Sequence, residues 1–318
     1  MSHTLPAHRV GRALGAILGL ASVGLAAPVA RAVDYPSGGW TQGQPPRLLM
    51  SENDGFCFLN RVTGEFRGSG EKVLVYHENG NWYIGGTSQQ QDLGGNALCV
   101  RWNAVSSTLG ATRMISEGFA IQGQHNQGTF DTILNDLPLV PHPSDADAVH
   151  SWTRKIWWGD AVSYLAGMSG QFDGGGESIS VFQSTDPRGP SVLAAHSEAK
   201  DGFMRASGIS VFFGQPHSGQ LARFWGPNGG NRPIQAAGEY GVNSAAGPAD
   251  VAMAPYDQAF CFFTRISGKF RGGGEFVSIG VNPSDNRWHL SARHLSGGAP
   301  DGVAATAHCV MLHQAPSS

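Results

Sequence analysis

Three stretches of the chain repeat one pattern, reading GFCFLNRVTGEFRGSGE at 55–71, AVSYLAGMSGQFDGGGE at 161–177 and AFCFFTRISGKFRGGGE at 259–275. Each copy joins a mainly apolar run with one to three aromatic residues to the frame Gly-x-Phe-x-Gly-x-Gly-Glu, and the copies align without gaps. Self-similarity of this kind is the sequence signature of a protein built from repeated units.

Each copy continues with the same succession of strand signals. An alternating run follows the Glu at 72–75, 178–181 and 276–279, and alternation at period two indicates a half-buried strand. A polar tip, a return strand and a last strand then complete each unit. The sequence therefore predicts an all-β protein with three tandem four-stranded modules, arranged around a pseudo-threefold axis or in a row. The predicted modules are 46–102, 157–213 and 250–312, with a spacer at 103–156 and a Gly/Pro-rich spacer at 214–249.

The four cysteines fit the same alignment. Cys57 and Cys261 occupy one position of the first strand, and Cys99 and Cys309 occupy one position of the last strand. The second copy has Ser163 and Ser210 at these two positions. Four cysteines allow three pairings, and joint replacement in one copy favours the disulfides Cys57–Cys99 and Cys261–Cys309. A bridge between the first and last strands of a module requires the four strands to curl or to form two short layers.

Composition restricts the class of protein. The 318 residues include 45 glycines, only 14% are charged, and the formal net charge is −3. A weakly acidic chain lacks the basic surface that general nucleic-acid binding needs, so no nucleic-acid partner is predicted. The hydrophobic fraction of 41% is sufficient for a packed core.

The N-terminal segment 1–32 has the pattern of a signal peptide. Arg9 and Arg12 precede an apolar stretch from Ala13 to Ala27, and Ala30-Arg31-Ala32 supplies a small-x-small cleavage pattern. An uncleaved anchor is the alternative, but the apolar stretch is shorter than the ~20 residues that a spanning helix needs. We therefore expect a secreted protein, extracellular or periplasmic, with no transmembrane segment after cleavage.

Catalytic and metal-binding motifs are sparse, and no catalytic residue is predicted. The repeated acid, Glu71, Glu177 and Glu275, is interpreted as structural, since one site rarely recurs three times and carboxylates accept backbone N–H bonds in tight turns. No cofactor and no metal site is predicted. Ca²⁺ is the alternative, because the tip at 282–287 carries oxygen ligands.

Aromatic residues beside polar hairpin tips give the functional hint. A flat ring that covers the apolar face of a sugar, with polar groups around it, is the usual arrangement for binding carbohydrate. For any single Trp the alternative is a core position. The predicted ligand-binding residues are Trp82, Tyr83, Gln89, Trp225, Trp288 and His289.

These observations predict a lectin-like or adhesin-like repeat protein that binds glycans or other cell-surface components. A secreted hydrolase is one alternative, with a site in an inter-module loop that includes Asp145, Asp147 and His150. A structural envelope or matrix protein is the other. An essential residue present in only one copy would favour the hydrolase, whereas equivalent contacts at several tips would favour the binding protein.

Overall fold

The computed structural model describes residues 34–68, 70–109, 113–122, 151–158, 161–174, 176–183, 190–196, 204–213, 223–233, 237–295 and 302–312. Their secondary structure is β-strand apart from one short helix, which confirms the all-β class. The predicted signal segment lies outside the described residues. The strands are β1 Ser37–Thr41, β2 Arg47–Ser51, β3 Gly55–Thr63, β4 Lys72–Glu78, β5 Asn81–Thr87, β6 Gly94–Arg101, β7 Arg113–Gln122, β8 Ser151–Trp158, β9 Ala161–Gly170, β10 Ser178–Phe182, β11 Pro190–His196, β12 Met204–Phe213, β13 Phe224–Gly226, β14 Gly229–Arg232, β15 Tyr240–Asn243, β16 Ala249–Pro255, β17 Ala259–Gly268, β18 Phe276–Asn282, β19 Arg287–Arg293 and β20 Val303–Met311, and the helix α1 is Trp102–Leu109.

The first glycine of each repeated frame turns the chain out of the first strand. Gly64, Gly170 and Gly268 all have φ of +101°, a backbone conformation that other residues adopt only with strain. Space is restricted as well, because a Cβ on Gly64 would lie 2.3 Å from the carbonyl oxygen of Asp92. Glycine is therefore required at this position by both conformation and close packing.

The phenylalanines of the frame close into a ring that joins the three copies. The amide of Phe66 donates to the carbonyl of Phe270 at 2.7 Å, that of Phe172 to Phe66 at 2.7 Å, and that of Phe270 to Phe172 at 2.8 Å. The three aromatic rings are fully buried, and their centroids are 5.7–6.2 Å apart with edge-to-face tilts of 72–87°. We call these residues the phenylalanine ring.

Each of the three sheets contains strands from two copies of the repeat. The first and last strands of a copy pair with one another as β3–β6, β9–β12 and β17–β20. The second strand pairs instead with the first strand of the following copy, as β4–β9, β10–β17 and β18–β3. Consequently, no copy forms an independent four-stranded sheet.

The two predicted disulfides are confirmed. Cys57–Cys99 and Cys261–Cys309 link residues that face one another across β3–β6 and β17–β20, and all four side chains are buried. In the second copy Ser163 faces Ser210 in the same register, and their hydroxyl oxygens lie 2.7 Å apart. A buried hydrogen bond thus replaces the covalent link in that copy.

Residues on the first strands of all three copies meet in an aromatic core. The core contains Phe56, Phe58, Tyr164, Phe260 and Phe262, all fully buried. The ring of Tyr164 lies 5.8 Å from the rings of both Phe58 and Phe262, and its hydroxyl donates to the carbonyl of Cys57 at 3.0 Å. Burial raises the pKa of Tyr164 well above its ordinary value, so the hydroxyl remains a donor.

The segments interpreted as spacers contribute strands to the sheets. In the first spacer, α1 follows β6 and β7 pairs with β12. In the second spacer, β13 and β15 both pair with β20. The strand β8 pairs with β11 and extends across the predicted boundary at 157. Within the described ranges, no helix is long and apolar enough to cross a membrane.

Truncating one of the three side chains of the phenylalanine ring should destabilise the whole chain. We expect Phe172→Ala to lower the free energy of unfolding by about 3–5 kcal/mol, because it leaves a cavity where three copies meet. The matched control is Phe182→Ala, whose ring is 46% exposed and which should change stability by less than about 1 kcal/mol. Denaturant unfolding measures both values, and equal effects would contradict the central position of the ring.

A third disulfide should form when both serines become cysteine. Ser163→Cys with Ser210→Cys should oxidise spontaneously and raise the free energy of unfolding by about 2–4 kcal/mol. Peptide mapping without reductant identifies the bond, and Ser163→Ala with Ser210→Ala is the control that removes only the hydrogen bond. Persistence of two free thiols in the folded double variant would show that the three copies differ at this position.

Candidate ligand-binding site

Trp82 and Trp288 lie in the core rather than at the surface. Both side chains are fully buried, because β5 and β19 alternate and these residues point inwards. The indole N–H of Trp82 donates to the carbonyl of Gly55 at 3.0 Å, and that of Trp288 donates to Ala259 at 2.7 Å. Each indole thus fixes its hairpin to the start of the first strand of the same copy. The structure therefore places these two predicted ligand-binding residues in the core, where neither ring offers a face to solvent.

Tyr83 lies on the opposite, outward face of β5. Its register partners are Leu48 on β2 and Tyr76 on β4. The rings of Tyr76 and Tyr83 are stacked, with centroids 5.6 Å apart and a tilt of 22°, and Leu48 is 56% exposed. We call Leu48, Tyr76 and Tyr83 the aromatic row.

A second row of outward side chains follows along the same strands, two residues further on β4 and β5 and three residues further on β2, where the register shifts between Leu48 and Met50. Ser51, Asn81 and Glu78 face one another across β2, β5 and β4. Residues two apart on a strand share a face and lie about 7 Å apart. This polar row therefore places a hydroxyl, an amide and a carboxylate beside the aromatic row.

The tyrosine hydroxyls complete the polar groups of this face. Partial burial, the charge of Glu78 and the neighbouring Tyr83 raise the pKa of Tyr76 above its ordinary value. The hydroxyl therefore stays protonated at neutral pH and is able both to donate and to accept a hydrogen bond. On the other side of the aromatic row, Gly85 lies beneath Pro46, where an added Cβ would be 3.2 Å from the proline ring.

The remaining predicted ligand-binding residues lie apart from this face. Gln89 is exposed in the loop after β5, beyond the end of the strand opposite to the hairpin tip. Trp225 is half-buried on β13, opposite Cys309 of β20, and its ring lies so close to Gly230 that a Cβ there would clash with it. Asp145, Asp147 and His150 lie outside the described residues.

His289 occupies in the third copy the position that Tyr83 has in the first, since each follows the buried Trp of its return strand. Its ring nitrogens face two carboxylates, with Nδ1 2.5 Å from Asp250 and Nε2 2.9 Å from Asp285. Its strand neighbours are Ala252 and Gly280 instead of a leucine and a tyrosine. The two faces are therefore equivalent in register and different in chemistry.

The repeated acids are buried beside their own turns. Glu71, Glu177 and Glu275 are at most 2% exposed, and the amide of Gly272 donates to Oε2 of Glu275. In the first copy a Cβ on Gly68 would lie 2.7 Å from Oε2 of Glu71, so the glycine leaves space for the carboxylate. The third copy adds His294, whose Nδ1 is 3.4 Å from Oε1 of Glu275. The positions of these acids fit a structural function.

Sequence reasoning missed Tyr76, Leu48 and the polar row. The alternation of Lys72–Glu78 places Tyr76 outwards, but its position opposite Tyr83 depends on the length of the turn between β4 and β5. β2 lies beside β5 through a pairing that no local pattern indicates. Among the residues that the structure describes, no group of three or more His, Cys, Asp or Glu side chains is arranged to hold a metal ion.

No protein-family model matches the chain, and no curated protein or solved structure is detectably similar to it.

Replacing Trp288 should affect stability in the manner of a core residue. We expect Trp288→Phe to lower the free energy of unfolding by about 1–3 kcal/mol, because it removes the bond to Ala259 and leaves a small cavity. Thermal and denaturant unfolding measure the change, and Trp225→Phe at a half-buried position should cost less. A larger loss of stability for Trp225→Phe than for Trp288→Phe would contradict the core position of Trp288.

Proposed function

We propose that the protein is a carbohydrate-binding protein whose ligand site is the outward face of β2, β5 and β4. The observation that carries the proposal is the aromatic row Leu48, Tyr76 and Tyr83 beside the polar row Ser51, Glu78 and Asn81. A pyranose presents an apolar C–H face and a rim of hydroxyls. These two rows supply a complementary apolar surface and complementary hydrogen-bonding groups.

Rigidity of the face supports the proposal. The buried neighbours Val75, Trp82 and Ile84 alternate with the outward residues and hold both strands against the core. A ligand that binds here orders few side chains, because the two tyrosines already stack on one another. Preorganised surfaces lose less affinity to conformational entropy on binding.

We further propose that the protein is secreted, that it consists of three tandem modules, and that the signal segment at 1–32 is removed. The two buried disulfides are consistent with an oxidising compartment outside the cytoplasm. Cell-surface glycans and other extracellular polysaccharides are the ligands available there. The second and third copies lack the stacked tyrosine pair, so the proposal assigns one site rather than three.

Glycan binding tests the proposal directly. The purified chain is applied to a broad glycan array, and the selected glycan is titrated calorimetrically against the wild type and Tyr83→Ala. We expect the substitution to weaken binding at least about tenfold, corresponding to about 1.4 kcal/mol of lost contact. Tyr83→Phe should retain most of the affinity, because it keeps the ring and removes only the hydroxyl.

Phe182→Ala is the control, since it removes an exposed ring from β10, which belongs to another sheet. Its affinity should equal that of the wild type. An array on which the folded protein binds nothing, or a glycan that binds Tyr83→Ala as tightly as the wild type, would overturn the assignment of this site.

A further inference from the structure

The outward face of the third copy carries a continuous chain of hydrogen-bonding groups. Asp250 lies on β16, the last strand of its sheet, whereas Asp285 lies in the turn between β18 and β19. His289 on β19 is within hydrogen-bond distance of both carboxylates, at 2.5 and 2.9 Å. The hydroxyl of Ser291 donates to the second oxygen of Asp250 at 2.5 Å. One imidazole therefore links an edge strand to a hairpin tip.

Both contacts are hydrogen bonds in only one protonation state of His289. Ionised carboxylates only accept hydrogen bonds, and a neutral imidazole has a single N–H. An imidazolium donates from both nitrogens and satisfies Asp250 and Asp285 together. Loss of the proton leaves one nitrogen lone pair facing a carboxylate oxygen, so that contact becomes repulsive.

Among the residues that the structure describes, the charged groups near His289 are few. From β16 only Asp250 faces it, and the turn contributes Asp285. On β18 the outward residues opposite β19 are Ser278, Gly280 and Asn282, none of which titrates. The strand β19 itself carries Arg287 and Arg293. Beyond β18, Arg61 of β3 lies over the ring of Phe276 at 4.5 Å.

We propose that Asp250, His289 and Asp285 form a pH-sensitive clamp that holds β16 and the β18–β19 turn to β19 while His289 is doubly protonated. Deprotonation breaks one of the two links and loosens the segment on that side. The residues of the aromatic row, Leu48, Tyr76 and Tyr83, include no imidazole or carboxylate, so the clamp is independent of the proposed glycan site.

The expected pH range follows from the surroundings of the clamp. Partial burial lowers the pKa of His289, but hydrogen bonds and charge from Asp285 and Asp250 outweigh it and raise the pKa above the ordinary 6.5. The contribution of His289 is therefore complete below pH 6.5 and is lost as the pH rises through the raised value. The hydrogen bond with His289 lowers the pKa of Asp285 below 3.8. Its contribution is complete above that pH and is lost on acidification.

Nuclear magnetic resonance of the intact chain tests the clamp. The ring signals of His289 are followed against pH, together with amide hydrogen exchange in 249–255 and 282–287 after correction for intrinsic rates. We expect an ionisation of His289 above 6.5 and a roughly tenfold loss of amide protection in at least one segment over the same pH range. Asp285→Asn should lower the pKa of His289.

His289→Gln removes the titrating group and should make exchange in both segments independent of pH over this range. The matched control is His77→Gln, because His77 contacts the single carboxylate of Glu52 at 2.6 Å on the first hairpin. This control should leave the pH response of 249–255 and 282–287 intact. An ionisation of His289 at or below 6.5, or protection in the wild type that does not follow it, would overturn the proposal.

Discussion

The fold depends on the three backbone hydrogen bonds that close the phenylalanine ring. A hydrogen bond between the amide of one copy and the carbonyl of another cannot form until both copies are in place. Three such bonds in a cycle couple every copy to the other two. A second cycle surrounds the first, since the amides of Gly64, Gly170 and Gly268 donate to the carbonyls of Glu275, Glu71 and Glu177. Folding of one copy alone would leave these buried groups without partners, at a cost of about 1–3 kcal/mol for each group.

The exchange of strands between copies has the same consequence at the level of the sheets. Because the second strand of each copy pairs with the first strand of another, the sheet hydrogen bonds and the ring require the same assembly. Repeats stacked in a row would contact only their neighbours, whereas here the third copy returns to the first through β18 and β3. The disulfides act within copies, between first and last strands. Covalent and hydrogen-bonded links therefore stabilise different parts of the same architecture.

The sequence was sufficient to predict the all-β class, the repeated first strands and the two disulfides. Cysteine pairing could be inferred because Ser163 and Ser210 replace both partners together, and the hydroxyls of these serines are now seen in contact. The exchange of strands could not be inferred, since alternation indicates that one face of a strand is buried and not which strand is adjacent. Alternation also leaves the orientation of Trp82 and Trp288 undecided. Alternation requires one residue of each adjacent pair to be buried, but it does not distinguish Trp82 from Tyr83.

Comparison among the copies within the chain separates shared positions from variable ones. Several positions that build the core are the same in all copies or change in compensated pairs, as with the phenylalanine ring and the paired serines. Outward positions of the hairpins differ more, with Tyr83 of the first hairpin replaced by His289 in the third. Outward side chains form neither the phenylalanine ring nor the disulfides, so the fold accepts an aromatic row at one hairpin and an ionic cluster at another. Function is therefore expected to reside on these outer hairpin faces, where each copy presents its own chemistry on a shared backbone.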